Sequence, residues 1–166
     1  MALISKGKEK MKKIILAGAA ALAFASTPAF AADFTGGRVG VNVGYADEGS
    51  EDAFTYAVDA GYDFRLGQGG ARAGVTVELG DSDETGRDLY AGVRVGGVVS
   101  NRAFLYAHGG YTNLNAGGFN FEGIRAGVGA EYAVSDRVYL NAEYRYSDYD
   151  SGLDFHGATV GVGFRF

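Results

Sequence analysis

Two histidines, His108 and His156, are the only imidazoles in a chain of 166 residues that contains no cysteine. Nucleophilic catalysis of the serine type needs a base within hydrogen-bond reach of its nucleophile and a third group to orient that base. Ser151 and Asp154 lie near His156, but a loop with Ser and Asp is commonplace, so His156 reads as a loop histidine and no catalytic residue is assigned. His108 reads as an interior polar residue paired to a carboxylate. The absence of Cys removes disulfides, thiolate zinc sites, iron–sulfur clusters and cysteine nucleophiles together. Asp47, Glu48, Glu51, Asp52, Asp81, Asp83 and Glu84 supply oxygen ligands of the kind divalent cations prefer. Yet Asp81-Ser82-Asp83-Glu84-Thr85-Gly86 lacks the spacing and final Glu of an EF-hand loop, and these acids read as solvated loops. Gly36-Gly37-Arg38-Val39-Gly40 neither follows a strand nor opens a helix, which excludes a phosphate loop. No metal and no cofactor are expected.

The charge balance becomes informative once the first 31 residues are set apart. They carry five Lys and one acid, whereas the remaining 135 residues hold ten Arg, no Lys and nineteen acids, a net of −9. Phosphate neutralisation needs a clustered basic surface, so nucleic acid is excluded as a partner. A polybasic contact with anionic lipid is excluded in the same way.

Residues 1–31 have the three-part design of a secretory signal peptide. Lys12 and Lys13 precede an apolar run from Ile14 to Ala25, and Ala29-Phe30-Ala31 supplies small residues before a cleavage between Ala31 and Ala32. The run is shorter than the roughly 20 residues that a membrane-spanning helix needs. Met11 would serve as a start as well as Met1. Residues 32–166 are then one domain.

Those 135 residues alternate apolar and polar positions with period two, and no window has a helical apolar stripe. Eight segments carry the pattern: Arg38 to Ala46, Phe54 to Leu66, Ala71 to Gly80, Asp88 to Val99, Ala103 to Thr112, Glu122 to Val134, Val138 to Tyr149 and Phe155 to Phe166. In the fifth, Phe104, Tyr106 and His108 share one face while Leu105, Ala107 and Tyr111 share the other, and which face is apolar stays open. Connections alternate between short (Gly67 to Gly70, Ser100 to Arg102, Ser135 to Arg137) and longer (Asp47 to Ala53, Asp81 to Arg87, Asn113 to Phe121, Asp150 to Asp154).

Alternation alone does not say which face points inward. Three features place the polar face inside a closed sheet and the apolar face in lipid. The polar face combines Gly with seven Arg (Arg38, Arg65, Arg72, Arg94, Arg125, Arg145, Arg165) and six acids (Asp59, Asp63, Glu78, Asp88, Glu131, Glu143). A narrow barrel needs small residues beside such large ones. Aromatic residues gather near the strand ends of the apolar face, where girdles form at membrane interfaces. With no apolar stretch of helical length after residue 31, only a closed barrel could span a bilayer. The expected fold is all-β, an eight-stranded antiparallel up-and-down transmembrane β-barrel. Its near-balanced inner charges predict a salt-bridged, plugged interior.

The final residues sharpen this reading. Thr159, Gly161, Phe164 and the terminal Phe166 resemble the signal by which bacterial outer-membrane barrels are recognised by their assembly machinery. Gly123 to Tyr132 and Val138 to Tyr146 resemble the sixth and seventh strands of the small outer-membrane β-barrel family, which includes opacity-type proteins and OmpA- and OmpX-like barrels. The resemblance implies a monomer in a Gram-negative outer membrane, in contact with lipid and lipopolysaccharide. By the rule that such barrels keep short turns at one end and longer loops at the other, the short turns face the periplasm and the acidic loops face outward, towards a surface partner. The resemblance implies no single activity. A structural and surface-interactive (adhesin-like), non-enzymatic role is expected. The alternatives are a narrow diffusion pore, or a soluble secreted barrel with Val41, Val58, Val75, Val93, Val128, Leu140 and Val160 lining an apolar ligand site.

Overall fold

The computed structural model describes residues 32–47, 52–82, 86–150 and 152–166. The proposed signal segment, Ser151 and the loop acids Glu48, Glu51, Asp83 and Glu84 lie outside them.

Eight strands follow in chain order: β1 (Gly36–Asp47), β2 (Asp52–Arg65), β3 (Ala71–Ser82), β4 (Asp88–Ser100), β5 (Ala103–Ala116), β6 (Phe119–Ala133), β7 (Val138–Tyr149) and β8 (Leu153–Arg165). Each pairs antiparallel with its neighbours, and β8 pairs with β1 to close the barrel. The closing seam runs from Arg38 opposite Arg165 to Asp47 opposite His156. It ends in reciprocal hydrogen bonds of 2.9 Å between the backbones of Gly37 and Phe166.

Sidedness follows from exposure at successive positions. Val93 is 62% exposed and Ile124 68%, while Arg94 between Val93 and Val95 is 3% exposed. A core of the soluble kind would reverse those values, so the apolar face is the outer wall and the charges fill the lumen. That arrangement rules out the soluble barrel, because the six valines and Leu140 expected to line its ligand site point away from the lumen. Outward aromatics form two bands. Tyr45, Tyr56, Tyr144 and Tyr146 stand towards the long-loop end, and Tyr62, Phe64, Phe164 and Phe166 towards the short-turn end.

The register of β5 is fixed by its neighbours. His108 stands opposite Arg94 on β4 and Gly127 on β6, so Phe104, Tyr106 and His108 face inward and Leu105, Ala107 and Tyr111 face lipid. One expected loop is absent: β5 and β6 extend to a tight hairpin at Gly117 and Gly118, with φ of 59° and 86°. Glycine takes such positive values at no steric cost, and a Gly-Gly pair suits a two-residue hairpin turn. The stretch expected as a loop, Asn113 to Phe121, therefore continues the ladder, with Asn115 opposite Asn120.

Lipid-facing charge is the direct test of this wall. Val93→Arg or Val128→Arg is expected to cost about 2 to 4 kcal/mol near the bilayer midplane. Refolding into vesicles, followed by gel mobility with and without heating, should show loss of the folded band for both variants.

Candidate functional site

The lumen holds the chemistry, and the strands deliver it in layers. Nearest the short turns, β2, β4, β6 and β8 contribute Asp63, Arg94, Glu131 and Arg165 to a closed ring. Arg94 donates to both Asp63 oxygens at 2.8 and 2.6 Å and to Glu131 Oε1 at 2.5 Å. Arg165 donates to Asp63 Oδ2 and to Glu131 Oε2, each at 2.7 Å. Each planar guanidinium spans two carboxylates, a geometry that an ammonium does not match. Aromatic faces complete the shell: Arg94 lies 4.6 Å from the Tyr106 centroid, and Arg165 lies 5.4 Å from that of Tyr139.

Above the ring, Arg38 donates to Asp59 at 2.8 Å and to the Thr76 hydroxyl, while Asn42 binds the other Asp59 oxygen at 2.9 Å. The next layer is stapled across the barrel. Arg145 on β7 donates through both terminal nitrogens to Glu78 on the opposite strand β3, at 2.7 and 2.8 Å, and through Nε to Glu143 at 2.7 Å. Arg125 reaches Asp88 at 2.5 Å and Ser147 at 2.8 Å.

Inner glycines make this packing possible. A Cβ at Gly61 would lie 2.6 Å from the Arg38 guanidinium, at Gly127 2.5 Å from His108 Nε2, and at Gly129 2.6 Å from the Tyr106 ring. Gly74 and Gly163 similarly clear space for Asp63 and Tyr139.

Twelve of the thirteen residues expected to carry the inner charge point into the barrel with little exposure, and eleven of them join these layers. Two differ in their contacts. Arg65 is on the polar face but lies at the open short-turn end, where its side chain is 52% exposed and bonds Asp33 at 2.9 Å. It is the last residue of β2, so its long side chain reaches past the lumen into water. Arg72 is buried but turns to the carbonyls of Gly69 and Ala71, each at 3.0 Å. Of the proposed assembly signal, Thr159 and Gly161 face inward and Phe164 and Phe166 outward.

The histidines part company. His108 is lumenal, with Nδ1 3.2 Å from the Tyr90 hydroxyl and Nε2 3.8 Å from Glu143. His156 is on the outer wall, where Nδ1 lies 2.7 Å from the Tyr144 hydroxyl and the ring packs 4.9 Å from Tyr146. Neither is set beside a serine nucleophile among the described residues. The lumen holds two small spaces. One, of about 20 Å³, lies among Arg38, His108, Glu143 and their neighbours, and the other, of about 90 Å³, lies towards the long loops over Arg125, Arg145 and Thr159.

A family model described as "Outer membrane protein beta-barrel domain" matches residues 17–166. The chain belongs to that family. It is an integral protein of the Gram-negative outer membrane. A 31 kDa outer-membrane immunogenic protein of Brucella melitensis is 27% identical, with 94% of this chain and 100% of that one covered. Among solved structures, Neisserial surface protein A superposes with a TM-score of 0.53 at 18% identity, over 78% of this chain and 96% of that one. The outer membrane enzyme PagL gives 0.56 at 11% identity, over 78% and 99%. These structural likenesses show the fold; they carry no activity to this chain.

The ring yields a stability test. Arg165→Ala leaves Glu131 facing Arg94 alone and Asp63 facing Arg94 and, at 3.3 Å, Arg38, and losing one partner of such a buried set costs about 3 to 5 kcal/mol. Arg65→Ala, whose partner is solvated, should cost less than about 1 kcal/mol. Urea unfolding of the vesicle-inserted barrel measures both.

Proposed function

We propose that this barrel is a non-enzymatic, monomeric wall element of the outer membrane that presents its long-loop end to partners outside the cell. The observation that carries the reading is the filled lumen. Its central space, about 20 Å³, is the size of a single water site, and the Arg145–Glu78 staple separates it from the larger space above. A tube closed in this way favours structure and display over transport.

Surface interaction draws support from the long-loop end. Asp47, Asp81, Glu122, Asp148 and Asp154 point outward there, next to the aromatic band. A hydrophilic, acidic collar at lipopolysaccharide level suits contact with the divalent-bridged outer leaflet and with basic surface partners. The assembly machinery is the proposed partner during biogenesis, reading Phe164 on the outer face of β8 and Phe166 just beyond its end. A monomer is proposed because the seam leaves no sheet edge unpaired.

Planar-bilayer recording distinguishes a wall from a pore. The native barrel is expected to give no channel events, and Glu78→Ala with Arg145→Ala to introduce small, stepwise ones. Regular conductance by the native protein would replace the wall reading with the diffusion pore. A deletion strain complemented with the native gene should regain detergent resistance and host-surface attachment; recovery of neither removes the structural and adhesin-like role.

A further inference from the structure

The four residues before β1 form a strap across the short-turn mouth. From Gly36, where φ is +94°, the chain crosses to the β4–β5 turn on the far side of the barrel. There the Ala32 backbone nitrogen donates to the Asn101 carbonyl at 2.8 Å. Phe34 drops into the mouth and is 1% exposed. Its ring stacks on Phe104 at 5.5 Å, with the Arg165 guanidinium 5.8 Å from its centroid. Asp33 stays outside, 2.9 Å from Arg65 and 3.5 Å from Arg72.

The groups that receive the strap are held by other partners. Arg165 is fixed by Asp63 and Glu131, Phe104 by stacking on Tyr106 at 5.5 Å, and Arg72 by the two turn carbonyls. The receiving surface therefore does not need the strap to exist. Nor does the strap satisfy it fully. Arg72 is more than nine-tenths buried, and among the described residues its Nε has no hydrogen-bond partner and its one carboxylate contact is the long one to Asp33. The Asp33 carboxylate is 54% exposed and its ion pairs are open to screening.

We propose that the short-turn mouth is a preformed binding site for an extended peptide carrying a carboxylate followed by a phenyl ring, and that Asp33-Phe34 is its tethered, displaceable occupant. Arg65 and Arg72 take the carboxylate, the Phe104–Arg165 slot takes the ring, and the Asn101 carbonyl takes a backbone N–H. Gly36 is the hinge on which the strap leaves. By the rule that short turns lie on the inner side of such barrels, the site faces the periplasm. Tethering gives the strap a high effective concentration that a free segment must outcompete, and opening of the screened Asp33 latch is what gives such a segment entry.

The cysteine-free chain permits a clean test in the whole protein. Ala133 is buried against Phe34 and Phe104, so Ala133→Cys reports access beneath the strap, and Thr55→Cys towards the other end serves as control. Adding Asp33→Ala and Phe34→Ala should speed thiol labelling at position 133 about tenfold without changing position 55, as local opening predicts. The tetrapeptide Ala-Asp-Phe-Thr should then slow it saturably, whereas Ala-Ala-Ala-Thr should not. Acceleration that the first peptide fails to reverse would reduce the strap to packing and overturn the binding site. No acceleration would overturn the strap as a cover. Should the double variant lose its heat-modifiable fold, Asp33→Asn with Ala133→Cys decides: faster labelling than the parent, with added salt narrowing the gap, supports the latch, and equal rates refute it.

Discussion

A charge enclosed in a narrow tube wrapped by lipid must find its counter-charge inside that tube, and this requirement organises the molecule. Water is largely excluded, so each guanidinium and carboxylate is stable only where several partners converge on it. The chain meets the condition with arginines that each bridge two acceptors, spread over strands around the whole circumference. The Asp63–Arg94–Glu131–Arg165 ring joins alternate strands, and Arg145 with Glu78 joins opposite ones. Hydrogen bonds between neighbouring strands close the wall, while these pairs fix its cross-section from within. The glycines that line the lumen and the stacked aromatic rings follow from the same requirement, since both exist where the large charged groups need space or a flat surface.

The two ends of the folded segment meet at this network. Arg165 completes the ring, forms one wall of the Phe34 slot and sits beside the Gly37–Phe166 hydrogen bonds. Closing the seam, neutralising Asp63 and Glu131 and seating the strap are thus local to one another. Such proximity makes the last strand energetically inseparable from the interior: leaving β8 unpaired would expose a sheet edge and also strand two buried carboxylates with too few cations.

Much of the fold was legible because period-two alternation is a local property. The strand count, the inward charge and the outward valines all follow from neighbours two residues apart. What remained hidden depends on distant partners. The face of β5 could not be chosen from Phe104, Tyr106 and His108 alone, because aromatic residues suit either lipid or the space beneath Arg94. Glu131 and Arg94 are separated by 37 residues, and Asp63 and Arg165 by 102, so their pairing was beyond any sequence pattern. Arg65 obeyed the alternation and still missed the lumen, since alternation gives direction but not depth. The strap had no periodic signal at all: Ala32 to Thr35 is too short to show one, and Phe34 gave no sign that it would be among the most buried side chains. Asn113 to Phe121 looked like a loop by composition, yet the two glycines at its centre made it a hairpin.

The wall is bounded by two very different solvents. Fluid acyl chains outside accept almost any apolar shape, so valine, leucine or alanine can replace one another there with little consequence. Inside, where an added methyl group at Gly61 or Gly129 would collide with Arg38 or Tyr106, a change at one position demands a matching change across the lumen. Descent should accordingly leave a freely drifting outer face over an inner face that changes by coordinated steps, and relatives can diverge widely in identity while keeping the same barrel.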